Sequence, residues 1–480
     1  MNIYIPIEVK ARELEGRGLL ALTAAERGHV VILGEKKDTR GLCKKGLLPP
    51  GVLHEKSLTP SKSTIKYFNE LRNAGYLITS QDEESGLTTE SYDAFAKGRY
   101  SEKTISTVSR IFAWGEHDSR SLKKEYPQFS DRIVTTGSPR VDLWRKDFAP
   151  YFKDDAVVNN GVRKPFILIP SNFSLVLSED RIWNIMARMR RAGYFERVVD
   201  GAFGEFRIYG DMSFRLKLIG EYVKMIRELS ADFPNVDILV RPHPVEVVEA
   251  WEKMIGELPN VKVLRKGTIS GWIRNASLII NNGCTSALEA AACGVQRIAY
   301  RPEPSDFEYM IPNMVCHQAM TLNNLKELVT NILNGSPIKD EDKVTSLTDE
   351  ILGLRISNLQ GLLAADRIVH EWEAIDDPAT NLNSDVTQLF EVKKQAENKP
   401  LYLRCKRKLS HLKRRFVSTE TKKKKEDKLL NNTNKFPDLK DEEIQSMITK
   451  FRKTLNRFHH VKYKRFGEKS FVIYSDQHED

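Results

Sequence analysis

Asn281-Asn282-Gly283-Cys284-Thr285-Ser286-Ala287-Leu288-Glu289-Ala290-Ala291-Ala292-Cys293-Gly294 carries the strongest signal in the chain, because the apolar run Leu278-Ile279-Ile280 feeds straight into it. A strand that delivers a small polar turn to a helix N-terminus builds an anion seat. Unpaired backbone N–H groups, two hydroxyls and the positive end of the helix dipole converge there, which suits a phosphate. Gly283, Thr285 and Ser286 are the candidate contacts. Gly294 can end the helix, and Arg297-Ile298-Ala299-Tyr300 reads as the next strand. The plainer alternative is an ordinary turn with Thr285 or Ser286 as N-cap.

Upstream, Val236 to Val240 is a buried-strand run ending in Arg241-Pro242-His243-Pro244. A cation and an imidazole thus stand at a strand's carboxyl end, where open α/β sheets bind ligands, and two prolines hold the turn rigid. His243 can donate to a phosphate oxygen while Arg241 supplies charge or packs across the sheet edge. A lone turn histidine can equally be structural. Ser171-Asn172 follow another strand, Phe166 to Pro170, at the same kind of edge.

In the first half, Asp82-Glu83-Glu84 follows the strand Tyr76 to Thr79. Crowded like charges raise at least one pKa and bring a carboxylate toward general-base strength; the alternative is a solvated acidic loop. Glu13, just past the first strand, either faces the same cleft or belongs to a surface charge cluster with Lys10 and Arg12.

Together these residues resemble the motifs of bacterial surface-carbohydrate glycosyltransferases of GT-B architecture, and within them the transferases that use CMP-sialic acid or CMP-Kdo. Their HP motif is similar to His243-Pro244, their Ser-Ser/Thr motif to Thr285-Ser286, and their acidic motif ending in Gly to Asp82-Glu83-Glu84-Ser85-Gly86, in the same order. Gly137-Ser138-Pro139-Arg140-Val141-Asp142 and Ile5 to Leu14 also look like this group, so the resemblance spans roughly residues 1 to 335. Two departures stand out: Ser85 separates the acidic residues from Gly86, and the hydroxyl pair is Thr-Ser.

The resemblance implies a nucleotide-sugar enzyme with Glu83 as base, Asp82 and Glu84 as the alternatives, and His243 at the leaving phosphate. It implies donor contacts from Arg241, Pro244, Gly283, Thr285, Ser286, Ser171 and Asn172, with Glu289 on the ribose. The donor would be a CMP-activated nonulosonic acid or Kdo-like sugar, the acceptor a glycan or lipid-linked glycan. No metal or other cofactor is implied. The same fold also hosts UDP-sugar epimerases and CDP-glycerol-type glycerophosphotransferases, and a different class, a noncatalytic membrane- or RNA-binding protein, is the further alternative.

Apolar runs alternating with helical periodicity predict α/β class: two Rossmann-like domains facing a cleft, residues 1–155 and 165–375, joined by the polar stretch Lys153 to Lys164. A polar linker and basic tail (376–435) and a helix plus hairpin (436–480) follow. Twelve Lys or Arg against three acids lie between Leu401 and Lys428, so nearly all of the net charge of +10 belongs to that tail. Arg404, Lys408, Leu409, Leu412, Arg415 and Phe416 fit a basic amphipathic helix on an anionic membrane surface, or a solvated linker. Localised charge without RNA-motif aromatics argues against nucleic acid. Lacking an apolar run of about 20 residues, the chain is expected in the cytoplasm, peripheral on the inner membrane face. Five scattered cysteines without CxxC spacing predict reduced thiols and no zinc site.

Overall fold

The computed structural model describes residues 1–85, 87, 92–153, 161–178, 180, 182–191, 195, 201–380, 386–397 and 435–476. Among these, the first half contributes β1 (Asn2–Ile7), β2 (Val30–Glu35), β3 (Val52–Glu55), β4 (Leu77–Ser80), β5 (Arg110–Ala113) and β6 (Ile133–Thr135). The second contributes β7 (Phe166–Pro170), β8 (Asp237–Arg241), β9 (Val261–Val263), β10 (Leu278–Asn281), β11 (Gln296–Tyr300) and β12 (His317–Ala319). A C-terminal hairpin supplies β13 (Val461–Gly467) and β14 (Ser470–Ser475).

The two sheets run β13-β14-β2-β1-β3-β4-β5-β6 and β12-β11-β10-β7-β8-β9. Their strands pair in parallel, except that β14 pairs antiparallel with both β13 and β2. The strands are apolar on both faces because helices cover both: Ile3, Ile5, Val31 and Leu33 bury on one side, Tyr4, Ile32, Leu53 and Ile78 on the other. Each sheet reverses its winding once, between β1 and β3 and between β7 and β10, and such switch points are where open α/β sheets hold ligands. The carboxyl edges meet at one cleft, since Arg12 and Glu84 of the first domain act electrostatically on His243 of the second. This is the GT-B arrangement of two Rossmann-like domains that the sequence predicts.

After helix Glu341–Arg355 the chain returns to the first domain, where helix Ala364–Glu373 packs on helix Lys10–Glu26. Trp372 is buried and its Nε1 donates to Thr79 Oγ1 at 3.0 Å. A latch guards the crossing. Asn358 Nδ2 donates to the Ser138 carbonyl (3.0 Å) and Asp142 Oδ1 (2.6 Å), while Asp142 accepts the amides of Ala364 (2.9 Å) and Ala365 (3.1 Å) at the start of the returning helix. Burial pushes Asp142 up to about 7 against those bonds.

The C-terminal helix forms over Asp441–Leu455 and sends Ile444, Ile448 and Phe451 into the first domain's core. The hairpin adds β14 to the free side of β2, with Phe471 opposite Leu33. Two strands escape sequence periodicity, β3 and β12, because each is short and mixes polar with apolar residues. The stretch expected as a connector from Asp376 contains helix Val386–Glu397, with Val386 and Leu389 buried. Gly86 and the tail residues Arg404, Lys408, Leu409, Leu412, Arg415 and Phe416 lie outside the described residues. Among the described residues no helix is long and apolar enough to cross a membrane.

Candidate functional site

The second domain's wall is built around its switch point. Ser171 and Asn172 follow β7, and each ties one flanking turn: Ser171 Oγ donates to Glu246, and Asn172 Nδ2 donates to the Gly283 carbonyl at 3.2 Å. Glu246, three residues beyond His243, also accepts the Phe173 amide (2.7 Å) and Trp251 Nε1 (3.1 Å). Arg265 closes the same turn by donating to the carbonyls of Pro244 (3.1 Å) and Glu246 (3.0 Å). The histidine turn and the hydroxyl turn, some 40 residues apart in sequence, are therefore held by adjacent residues of one loop.

His243 reaches solvent at the cleft mouth, yet protein encloses it from both domains. Burial and the Arg12 cation lower its pKa to about 4, with Glu84 opposing and Arg265 adding to the depression. Its Nδ1 accepts the Val245 amide at 3.4 Å, so the neutral ring carries its proton on Nε2 and presents a donor. Arg241 is engaged differently from the expectation of a phosphate-facing cation: both terminal nitrogens donate to carbonyls, Lys266 (2.9 Å) and Gly267. Burial and Arg265 lower its pKa to about 10.

At the turn after β10, Gly283 has φ +66°, and a Cβ there would stand 3.0 Å from Tyr309 Cβ, so only glycine fits. Its amide donates to Asn313 Oδ1 at 2.7 Å. Thr285 precedes helix Ser286–Cys293 without a side-chain capping bond. Ser286 Oγ instead lies 3.2 Å from Cys284 Sγ. Glu289 is buried one turn in, not exposed on the helix surface. Burial raises its pKa against Arg140, the Ser270 hydroxyl, Arg274 and Arg241, and its Oε1 has no hydrogen-bond partner.

The first domain's wall carries the acidic loop, and the loop is not solvated: Asp82 and Glu83 are buried. Glu83 pairs with buried Arg17 (2.8 Å), which ties up the carboxylate expected to be the base. Glu84, half exposed, pairs with Arg99 and Arg12; despite desolvation these cations and Lys56 hold it below the ordinary carboxylate range. Asp82 differs. Its Oδ1 accepts the amides of Glu84 (2.9 Å) and Ser85 (3.2 Å), shaping the turn in which Ser85 takes φ +45°. Its Oδ2 has no hydrogen bond, only Arg99 at 3.5 Å, and burial raises its pKa. Of the three, Asp82 is the one that keeps an oxygen free of hydrogen bonds and whose pKa is raised.

Glu13 is buried, not part of a surface cluster. It accepts Lys56 Nζ (2.9 Å) and the Glu8 amide (2.8 Å), and Lys56, Arg17 and Arg12 keep it ionised against desolvation. It anchors the ion network beneath the loop. Glu246 and Arg265 carry no clear local signature in sequence, because most of their partners lie elsewhere in the chain; Arg17 shows only its spacing from Glu13, 4.0 Å away, while its close partner Glu83 is 66 residues on.

No protein-family model matches the chain, and no curated protein matches it. Solved structures do. A Listeria monocytogenes protein assigned as a UDP-N-acetylglucosamine 2-epimerase aligns with TM-score 0.47 and 10% identity, covering 78% of this chain and 96% of that one. The UDP-GlcNAc 2-epimerase of Methanocaldococcus jannaschii aligns with TM-score 0.45 and 13% identity over 77% and 99%. That of Neisseria meningitidis, bound to UDP-GlcNAc, aligns with TM-score 0.43 and 11% identity over 77% and 99%. The likeness is one of chain course through two domains, and it assigns no reaction.

Proposed function

We propose that the cleft holds a nucleotide sugar, with the nucleotide against the second domain and the sugar toward the Asp82–Glu84 loop. The chain then transfers a nonulosonic acid or Kdo-like sugar from a CMP donor to a glycan or lipid-linked glycan. One observation carries the placement of the ligand between the walls: His243, at a strand end of the second domain, lies within electrostatic reach of Arg12 and Glu84 on the opposite wall. Asp82 takes the acceptor's hydroxyl proton. The Nε2–H of His243 donates to the departing phosphate, and the start of helix Ser286–Cys293 adds its dipole. The unpartnered Oε1 of Glu289 accepts a ribose hydroxyl. Phosphate charge is met by protein donors, and the basic segment 401–428 brings the enzyme to an anionic membrane surface.

A second chemistry is 2-epimerisation of a UDP-sugar, the activity in the names of solved neighbours. It is favoured by Asp82 and Glu289, carboxylates from opposite walls that burial holds above the ordinary range, since removing and returning a proton on a sugar carbon needs groups on both sides. The deciding experiment offers CMP-, UDP- and CDP-linked donors with and without a glycan acceptor. Acceptor-dependent CMP release that His243→Ala abolishes supports transfer. Acceptor-independent interconversion of UDP-GlcNAc and UDP-ManNAc supports epimerisation, and turnover of CDP-glycerol alone sinks both.

A further inference from the structure

The cleft holds several arginines, and nearly all are spent. Arg12 pairs with Glu13 and Glu84, Arg17 with Glu83, and Arg99 with Glu84 and Asp82. Arg241 and Arg274 are consumed by backbone carbonyls, the latter by Leu143 (2.9 Å) and Arg145 (2.6 Å). Arg140 is the least engaged. Among the described residues its guanidinium, like those of Arg241 and Arg274, makes no ion pair, and it has a single hydrogen bond, from Nη1 to the Glu83 carbonyl (3.3 Å), with the group 5.8 Å from the centre of the Trp144 ring.

Its place is built. A Cβ on Gly16 would stand 2.8 Å from the Arg140 amide nitrogen, so helix Lys10–Glu26 is thinned where residue 140 approaches. Both walls act on the charge: Glu289 from the second domain, and Glu83 and Glu13 from the first, favour it, while burial and Arg12 oppose it. Two neighbouring cations in a partly desolvated cleft, one without a counter-ion, are relieved by an anion between them.

We propose that Arg140, with Arg12 adding its charge, is the seat of an oxyanion group of the donor, taken in a two-point contact by the planar guanidinium. The inference rests on the nucleotide-sugar reading of the cleft. The oxyanion is either the nucleotide phosphate or a carboxylate on the sugar, which share this chemistry.

The test titrates the full-length protein with cytidine, CMP, CMP-N-acetylneuraminate, N-acetylneuraminate and inorganic phosphate, read by calorimetry and by intrinsic tryptophan fluorescence. Arg140→Gln is expected to weaken oxyanion probes about 10- to 100-fold and leave cytidine unchanged. Arg140→Lys keeps the charge without the fork and is expected to lose about tenfold; it carries the test if the Gln variant does not fold. Loss on CMP and phosphate assigns the phosphate; loss confined to neuraminate and its CMP conjugate assigns the carboxylate. Binding of phosphate or neuraminate that depends on Arg140, with no nucleotide bound, sinks the nucleotide reading and keeps the seat. Unchanged affinity in both variants for every probe, or no oxyanion bound by the wild type, overturns the proposal.

Discussion

At the scale of single residues, the acidic loop separates three adjacent carboxylates by environment alone. Glu83→Gln removes the closer of the two carboxylates on buried Arg17 and leaves only Glu13 at 4.0 Å, so the expected outcome is a loss of about 3 kcal/mol, read as a lowered melting temperature. Asp82→Asn removes the group with a spare oxygen and raised basicity; turnover should fall about 10²- to 10⁴-fold with a smaller change in stability. The opposite pattern, activity surviving Asp82→Asn, would dismiss it as the base. His243 offers a second check, because burial first and then the Arg12 cation of the far wall depress its pKa. NMR titration should find the imidazole near pH 4, and Arg12→Gln should move it up toward 6.5. An unmoved titration would mean that Arg12 does not face it. The motif residues were legible because strand ends, prolines and small polar turns leave local marks. Glu246, Arg17 and Arg140 were not legible as parts of a site, since what defines them is the partner they hold, or lack, across the fold.

Among elements, helix Asp441–Leu455 does what the sequence alone leaves unassigned. Its amphipathic pattern announces a helix but not the surface it covers, and that surface lies more than 250 residues earlier in the chain. Phe451 is fully buried, its ring centre 4.5 Å from that of Tyr151 and 6.4 Å from that of Phe148. Phe451→Ala should therefore cost about 3–5 kcal/mol, as for aromatic truncation inside a core, measured by denaturant unfolding. A loss below about 1 kcal/mol would show that the helix is loosely attached. The strands were legible wherever apolar runs were long; β3 and β12 were hidden because three or four residues of mixed polarity carry no usable period.

Across the whole molecule, the latch at Asp142 and Asn358 links the chain's return to the first domain to solution pH. The folded-state pKa of Asp142 is about 7 against an ordinary 3.8, so the native state holds a proton that the unfolded chain releases. Its contribution to stability is complete below about pH 4 and is lost as pH rises through about 7, at roughly 1.4 kcal/mol per unit of separation. Melting temperature should accordingly fall between pH 4 and 7, and Asp142→Asn should flatten that slope; an equally steep slope in the variant would acquit Asp142. The pairing of Gly34 with Ser470 also has a bearing on how the protein is made. The exposed side of β2 leaves the ribosome long before its final neighbour exists. At about 5–20 residues per second that edge waits roughly 20–90 s for its cap. During translation it is an open template for other nascent strands, so holding factors and slow release of the last segment should govern the soluble yield.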